Sequence, residues 1–263
     1  MPDPEALRSP GGVSVQVDDG VAVVTIDRPE ARNAIGFATA DELDAALDQV
    51  LETDAAVLVV RGGGDRAFVS GGDLKELRTV RTHDDAAAMA RRVRRLLDRV
   101  AAFPLPVVAA LNGHALGGGA EVAVAADVRI AAEDVTIGFN QVALGIMPAW
   151  GGAERLAQLI GRGRALLAIT TGRLHDAPTA QRLGLVDVVV PRPEFDDAWR
   201  NLAREMAATA PGTTRAVKSV IDAAVPACRP ELETTATAEF ARLWASDAHW
   251  TAVEALEQRR STG

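Results

Sequence analysis

The sequence has a single cysteine, Cys228, which excludes an internal disulfide framework and fits a reducing compartment, so the cytoplasm is the expected location. Positive charge is in deficit, with 28 Lys and Arg against 36 Asp and Glu and a formal charge of −8. An overall attraction to nucleic acid or anionic membrane is therefore not expected: DNA and membrane are excluded as partners and RNA is disfavoured. Nearly all the basic residues are arginine, and lysine occurs only as Lys75 and Lys218. A membrane-spanning run is also lacking. The stretch from Val100 to Ala120 has no Asp, Glu, Lys or Arg, yet its two prolines, Asn112, His114 and four glycines mark a buried, turn-rich core segment. Met1 to Gly12 carries prolines and acidic residues without an apolar run, so neither a secretory signal nor an Arg-rich transit peptide is expected there. His83, His114, His175 and His249 are scattered, with no H-E-x-x-H and no cysteine pair, which argues against a metal site.

What is present is a 263-residue chain that is 48% apolar and 24% charged, the mix of a soluble globular protein long enough for a full core. Val13 to Val17 and Val21 to Asp27 are β-branched runs around Asp18, Asp19 and Gly20, a hairpin signal. Apolar residues then recur at three and four from Phe37 to Thr53, predicting an amphipathic helix, and the Val-rich run Ala56 to Arg61 predicts a buried strand. The alternation repeats with a helix over Asp84 to Ala102, a strand over Val107 to Leu111, a short helix from Gly117 to Ala125 and a strand over Asp127 to Ala131. Beyond Pro148 the pattern is helical except for a short strand at Val186 to Val190. The reading is α/β, with a core over residues 1–192 and a helical C-terminal region over 193–263 whose apolar faces must be covered by the core or by another subunit.

Two glycine-bearing loops follow buried strands: Ala67 to Lys75, containing Ser70, Gly71, Gly72, Asp73 and Leu74, and Asn112 to Glu121, containing Gly117, Gly118 and Gly119. Each precedes a helical pattern, where backbone NH groups lack intrahelical partners and carry positive potential. Tight turns are the plain alternative. Together, however, two such loops on adjacent strands could aim two NH groups at one oxygen and form an oxyanion hole. Neither loop matches G-x-G-x-x-G or G-x-x-x-x-G-K-[ST], which disfavours dinucleotide and nucleoside triphosphate sites. Ser70 lacks the first glycine of G-x-S-x-G, since Phe68 stands there, so a serine hydrolase would need a base that the sequence does not identify.

Taken in order, Arg28 to Ala34, Ala67 to Leu77, Asn112 to Glu121, Phe139 to Arg155 and Ala180 to Val189 resemble the enoyl-CoA hydratase/isomerase (crotonase) superfamily over most of the chain. The resemblance implies a crotonase-like spiral of ββα units, a helical tail used in trimerisation, a homotrimer or dimer of trimers, and an acyl-coenzyme A substrate with no separate cofactor. It implies that Gly72 and Gly118 supply the NH groups for the thioester oxygen and that Glu121 is the catalytic glutamate. It also implies substrate contacts at Arg28, Ala67, Ser70, Gly71, Gly72, Asp73, Leu74, Lys75, Gly117 and Gly118. Glu121 lies three residues past Gly118, about one helical turn from the proposed donors.

The chain departs from the pattern where hydratases of the family carry a second glutamate, because that position, four residues before Gly145, is Gln141. An amide can hold water or a substrate oxygen but cannot exchange a proton near neutral pH. Enoyl-CoA hydration is the leading expectation, and isomerase activity is the least favoured. Decarboxylation of a malonyl-type acyl-CoA, such as ethylmalonyl-CoA or methylmalonyl-CoA, is the alternative, since loss of carbon dioxide generates the enolate without a base. Pro148, Ala149, Trp150, Gly151 and Gly152 resemble the matching segment of ethylmalonyl-CoA decarboxylases, and Trp150 could line the acyl pocket or simply pack. A noncatalytic CoA-thioester or RNA-binding relative is the remaining class. Glu133 and Asp134 lie in a polar turn and are not expected to replace the missing acid. Arg91, Arg92, Arg94, Arg95 and Arg99 read as a solvated helix face, with phosphate or RNA contact as the rival.

Overall fold

The computed structural model describes residues 12–209, 211–224 and 230–261, so Cys228 and most of the segment from Met1 to Gly12 lie outside the described residues. The chain opens with the hairpin β1 (Val13–Asp18) and β2 (Val21–Ile26), whose two-residue turn places Asp19 and Gly20 at positive φ, as a tight hairpin requires. Helix α1 (Phe37–Leu51) then leads to β3 (Val57–Gly62) and β4 (Ala67–Val69). After the short α2 (Leu74–Leu77) and the long α3 (His83–Ala101) come β5 (Val107–Leu111), β6 (His114–Leu116) and α4 (Gly118–Ala125). The next turn supplies β7 (Val128–Ala132), β8 (Thr136–Gly138), α5 (Gly152–Ile160) and α6 (Arg162–Thr171). The chain continues through β9 (His175–Asp176), α7 (Ala177–Leu183), β10 (Val188–Val190), α8 (Phe195–Ala207), α9 (Pro211–Ala224), α10 (Pro230–Trp244) and α11 (Asp247–Ser261).

These elements make two sheets. One runs β1-β2-β3-β5-β7-β10, parallel throughout except for the opening hairpin, and the other runs β4-β6-β8-β9, antiparallel only at its last pair. After the opening hairpin, the pairs β3–β4, β5–β6 and β7–β8 each place one strand in each sheet before a helix, which is the spiral of ββα units. Residues 57–60 of β3 and the whole of β5 are covered on both faces, so they read as apolar runs without alternation. The second sheet escapes the sequence pattern because its strands are two or three residues long, too short for a period of two to be visible. Segments 67–69 and 114–116, expected to be loop, are therefore strand, and the strand expected from Val186 begins at Val188.

Two buried asparagines hold the crossings between sheets. Asn33 donates from Nδ2 to the carbonyls of Gly63 and Ala67 at 3.0 and 2.7 Å, and Asn112 accepts from the Gly62 amide and donates to the Gly64 carbonyl. The helical tail is split in its packing. Phe195, Trp199 and Ala203 bury one face of α8 on the first sheet, while α10 packs along α3 and Trp244 Nε1 donates to the Val80 carbonyl at 2.9 Å. By contrast, α9 leaves Val217, Val220 and Ile221 exposed. Among the described residues no helix is long and apolar enough to cross a membrane.

Candidate active site

Strands β4 and β6 are parallel neighbours, with Ala67 opposite His114, so the loops at their C-terminal ends lie side by side. The first loop turns through Gly71 at φ 107° and the second through Gly117 at φ 57°, ψ −116°, conformations that a side chain would strain. The loops touch: a methyl group placed on Gly71 would stand 3.4 Å from the Gly118 amide nitrogen. Gly118 is the first residue of α4, so its NH has no intrahelical acceptor, and among the described residues nothing accepts from the Gly72 NH. Both glycines line a cavity of about 630 Å³.

Glu121 also lines it, one turn into α4, a helix buried on every side in which it is the only charged residue. The residue is 2% exposed. Oε2 accepts from the Trp150 and Gly152 amides at 2.7 and 2.9 Å, and Oε1 accepts from Gln141 Nε2 at 3.0 Å. A carboxylate offers about four acceptor positions, so one remains on Oε1. Burial pushes the carboxyl up to about 7, against the pull of the Gly152 and Trp150 amides, with Glu154 adding to the rise. Gln141 leaves its own Oε1 buried without a partner beside this cavity.

Behind the site, α3 and α5 are joined by two ion pairs, of which Arg94–Glu154 is buried. Arg155 donates to the Trp150 carbonyl at 2.9 Å and pairs with Asp98, while Arg94 pairs with Glu154 at 2.8 Å. The solvated face expected for the α3 arginines is thus wrong for Arg94, which is 2% exposed. Arg92 and Arg99 instead meet Asp41, Asp44 and Asp48 of α1, and none of the five lines the cavity.

Of the residues singled out in the sequence, Ala67, Ser70, Gly71, Gly72, Leu74, Gly117, Gly118, Glu121, Gln141 and Trp150 meet at the cavity. Arg28, Asp73 and Lys75 do not. Arg28 pairs with Asp73 at 2.9 Å and donates to the Ala34 carbonyl, Asp73 caps α2 through the Lys75 amide, and Lys75 faces solvent. Asp134 reaches the cavity wall, but Arg192 pairs with it and holds its carboxyl below the usual range, so it is ionised rather than a proton donor near neutral pH. Among the described residues, no imidazole or carboxylate is hydrogen-bonded to the Ser70 hydroxyl, and no group of three potential metal ligands occurs. Gly152 escapes sequence reasoning. A methyl group there would stand 2.4 Å from Glu121 Cγ, so only glycine fits beneath that carboxylate, and the pair Gly151-Gly152 was the available signal.

A family model described as enoyl-CoA hydratase/isomerase matches residues 16–261. The chain belongs to the enoyl-CoA hydratase/isomerase family. Within this family it is 36% identical over 214 residues to a short-chain-enoyl-CoA hydratase of Clostridium acetobutylicum, covering 80% of each chain. It is also 41% identical to a probable enoyl-CoA hydratase of Bacillus subtilis, over 67% of this chain and 68% of that protein. Among solved structures of the family, an enoyl-CoA hydratase from Mycobacterium avium subsp. paratuberculosis superposes with a TM-score of 0.84 at 26% identity, covering 94% and 99% of the two chains. A carnitinyl-CoA hydratase from Mycobacterium avium gives 0.80 at 29% identity, covering 95% and 97%.

Proposed function

We propose that this protein adds water to a 2-enoyl-CoA thioester, using the Gly72 and Gly118 amides for the thioester oxygen and Glu121 as the group that exchanges protons with water and substrate. The observation that carries this reading is Glu121 itself, a buried carboxyl brought to about 7 beside two amides that have no acceptor among the described residues. A group titrating near the working pH can both take and return a proton. Ionised Glu121 accepts a proton from water as the water oxygen bonds to C3 of the enoyl group. The electron pair of the C2–C3 double bond moves into the thioester, giving an enolate whose oxygen is met by the two amides. Glu121 then delivers its proton to C2, so that water is added and the enzyme is restored. Gln141 contributes without exchanging protons: its Nε2 orients Glu121 Oε1, and its free carbonyl oxygen can accept from the attacking water.

The substrate carries its own coenzyme A, and no separate cofactor enters the scheme. Arg32 and Arg66, exposed cations at the cavity wall, suit the coenzyme phosphates better than Lys75 does. The exposed apolar residues of α6 and α9 support a homotrimer or a dimer of trimers, and the low cysteine content supports a cytoplasmic location. A second reading, decarboxylation of a malonyl-type thioester, is favoured by the amide at Gln141, since it needs only the oxyanion donors and a neutral Glu121 to protonate the enolate.

Mass spectrometry of trans-2-butenoyl-CoA after incubation with the protein tests the reading. Addition of one water is expected, slowed about 100-fold or more in Glu121→Gln. No added water would sink hydration and make malonyl-type thioesters, scored for loss of carbon dioxide, the next substrates to offer.

A further inference from the structure

Trp150 acts through two separate parts of the residue. Its backbone amide holds Glu121 Oε2, while its indole, in a residue only 6% exposed, lies across the two glycines assigned to the oxyanion site. A methyl group on Gly118 would stand 2.1 Å from Cζ3 and 2.6 Å from Cη2 of that ring. One on Gly72 would stand 3.7 Å from Cη2, 3.8 Å from Cζ2 and 2.7 Å from Leu77 Cδ1. The six-membered edge of the indole therefore rests on Gly118 and reaches Gly72, with Leu77 against that same glycine.

We infer that the Trp150 side chain sets acyl-chain selectivity, admitting short acyl groups and obstructing long ones. The inference rests on the reading of the site as one for CoA thioesters. An acyl group whose carbonyl oxygen is held by the Gly72 and Gly118 amides has its first carbons within van der Waals range of this ring edge. A large, rigid side chain packed against backbone has nowhere to retreat, because protein interiors are close-packed and resist small displacements. Apolar contact with the ring favours the first few carbons, whereas a longer chain must displace the indole. The cavity is also lined by Met89, Ile146, Phe240 and Trp244, apolar groups that a longer acyl chain could meet once the indole is removed.

The experiment compares binding of the unreactive butanoyl-CoA and octanoyl-CoA by calorimetry, and turnover of the matching 2-enoyl thioesters, in the wild type, Trp150→Phe and Trp150→Ala. Both variants keep the backbone amide that holds Glu121, and thermal unfolding reports whether each is folded. The wild type is expected to favour the shorter thioester about tenfold or more, with the preference reduced in Trp150→Phe and erased or reversed in Trp150→Ala. If Trp150→Ala does not fold, the shift in Trp150→Phe decides. Binding of both thioesters with the same ratio in every folded protein overturns the inference alone, as does a wild type that binds octanoyl-CoA at least as tightly as butanoyl-CoA. A shifting binding ratio without turnover upholds the selectivity and overturns hydration. Failure of both thioesters to bind overturns the selectivity and the CoA-thioester reading together.

Discussion

Glu121 shows how surroundings change the titration of one carboxyl. Three NH donors satisfy it, yet burial outweighs them and raises the group from an ordinary 4.5 to about 7. The folded protein consequently retains a proton that the unfolded chain releases on crossing pH 4.5. Stability from this linkage is complete below about pH 4.5 and is lost as pH rises through about 7. A shift of that size corresponds to roughly 3 kcal/mol. Glu121→Gln removes the charge, and the Gln141 amide can turn so that its unpartnered oxygen accepts from the new amide. We therefore expect the variant to be more stable than the wild type at about pH 8, with the difference vanishing near pH 4.5. Melting temperatures measured across that interval check this, and parallel curves would refute the assignment. The same titration makes kcat/KM for hydration fall below about pH 7, because the base must begin ionised.

Among the elements, α3 and α5 illustrate how a charge network built on the buried Arg94–Glu154 pair fixes the turn beside Glu121. Arg94 and Arg155 reach from these helices to Glu154, Asp98 and the Trp150 carbonyl, and the Trp150–Gly152 turn in turn supplies two donors to Glu121. Removing one partner of a buried pair leaves an uncompensated charge and costs about 3–5 kcal/mol, whereas replacing both by apolar groups is often neutral. Arg94→Met is therefore expected to lower the denaturant midpoint strongly, and Arg94→Met combined with Glu154→Leu to recover much of the loss. Equal loss in the single and double variants would mean that packing, not charge, is what the pair supplies.

At the scale of the whole molecule, apolar side chains remain on the surface. Leu166 and Leu167 of α6 are 54% and 55% exposed, and Val217, Val220 and Ile221 of α9 are more than half exposed. Clusters of this kind mark interaction surfaces. Sedimentation velocity is expected to give a trimer or a multiple of it, and the double variant Leu166→Glu, Leu167→Glu to give smaller species. A monomeric wild type would show that these faces serve another purpose.

Local pattern determined much of this protein. The hairpin at Asp19 and Gly20, the amphipathic period of α1 and α3, the apolar runs of β3 and β5, and the glycines at 71–72 and 117–119 all depend on neighbours a few residues away, and each was legible in the sequence. Glu121 and Gln141 could be placed by motif. Their contact at 3.0 Å could not, because it joins residues 20 positions apart across two elements. The second sheet was hidden because short strands carry no period, and their pairing depends on distant partners. Tertiary structure alone decided that Arg94 is buried against Glu154, that Arg28 and Asp73 brace one another rather than the cavity, and that Trp150 lies on Gly118. Burial and pairing are properties of three-dimensional neighbours, and composition or spacing along the chain carries no record of which neighbours those will be.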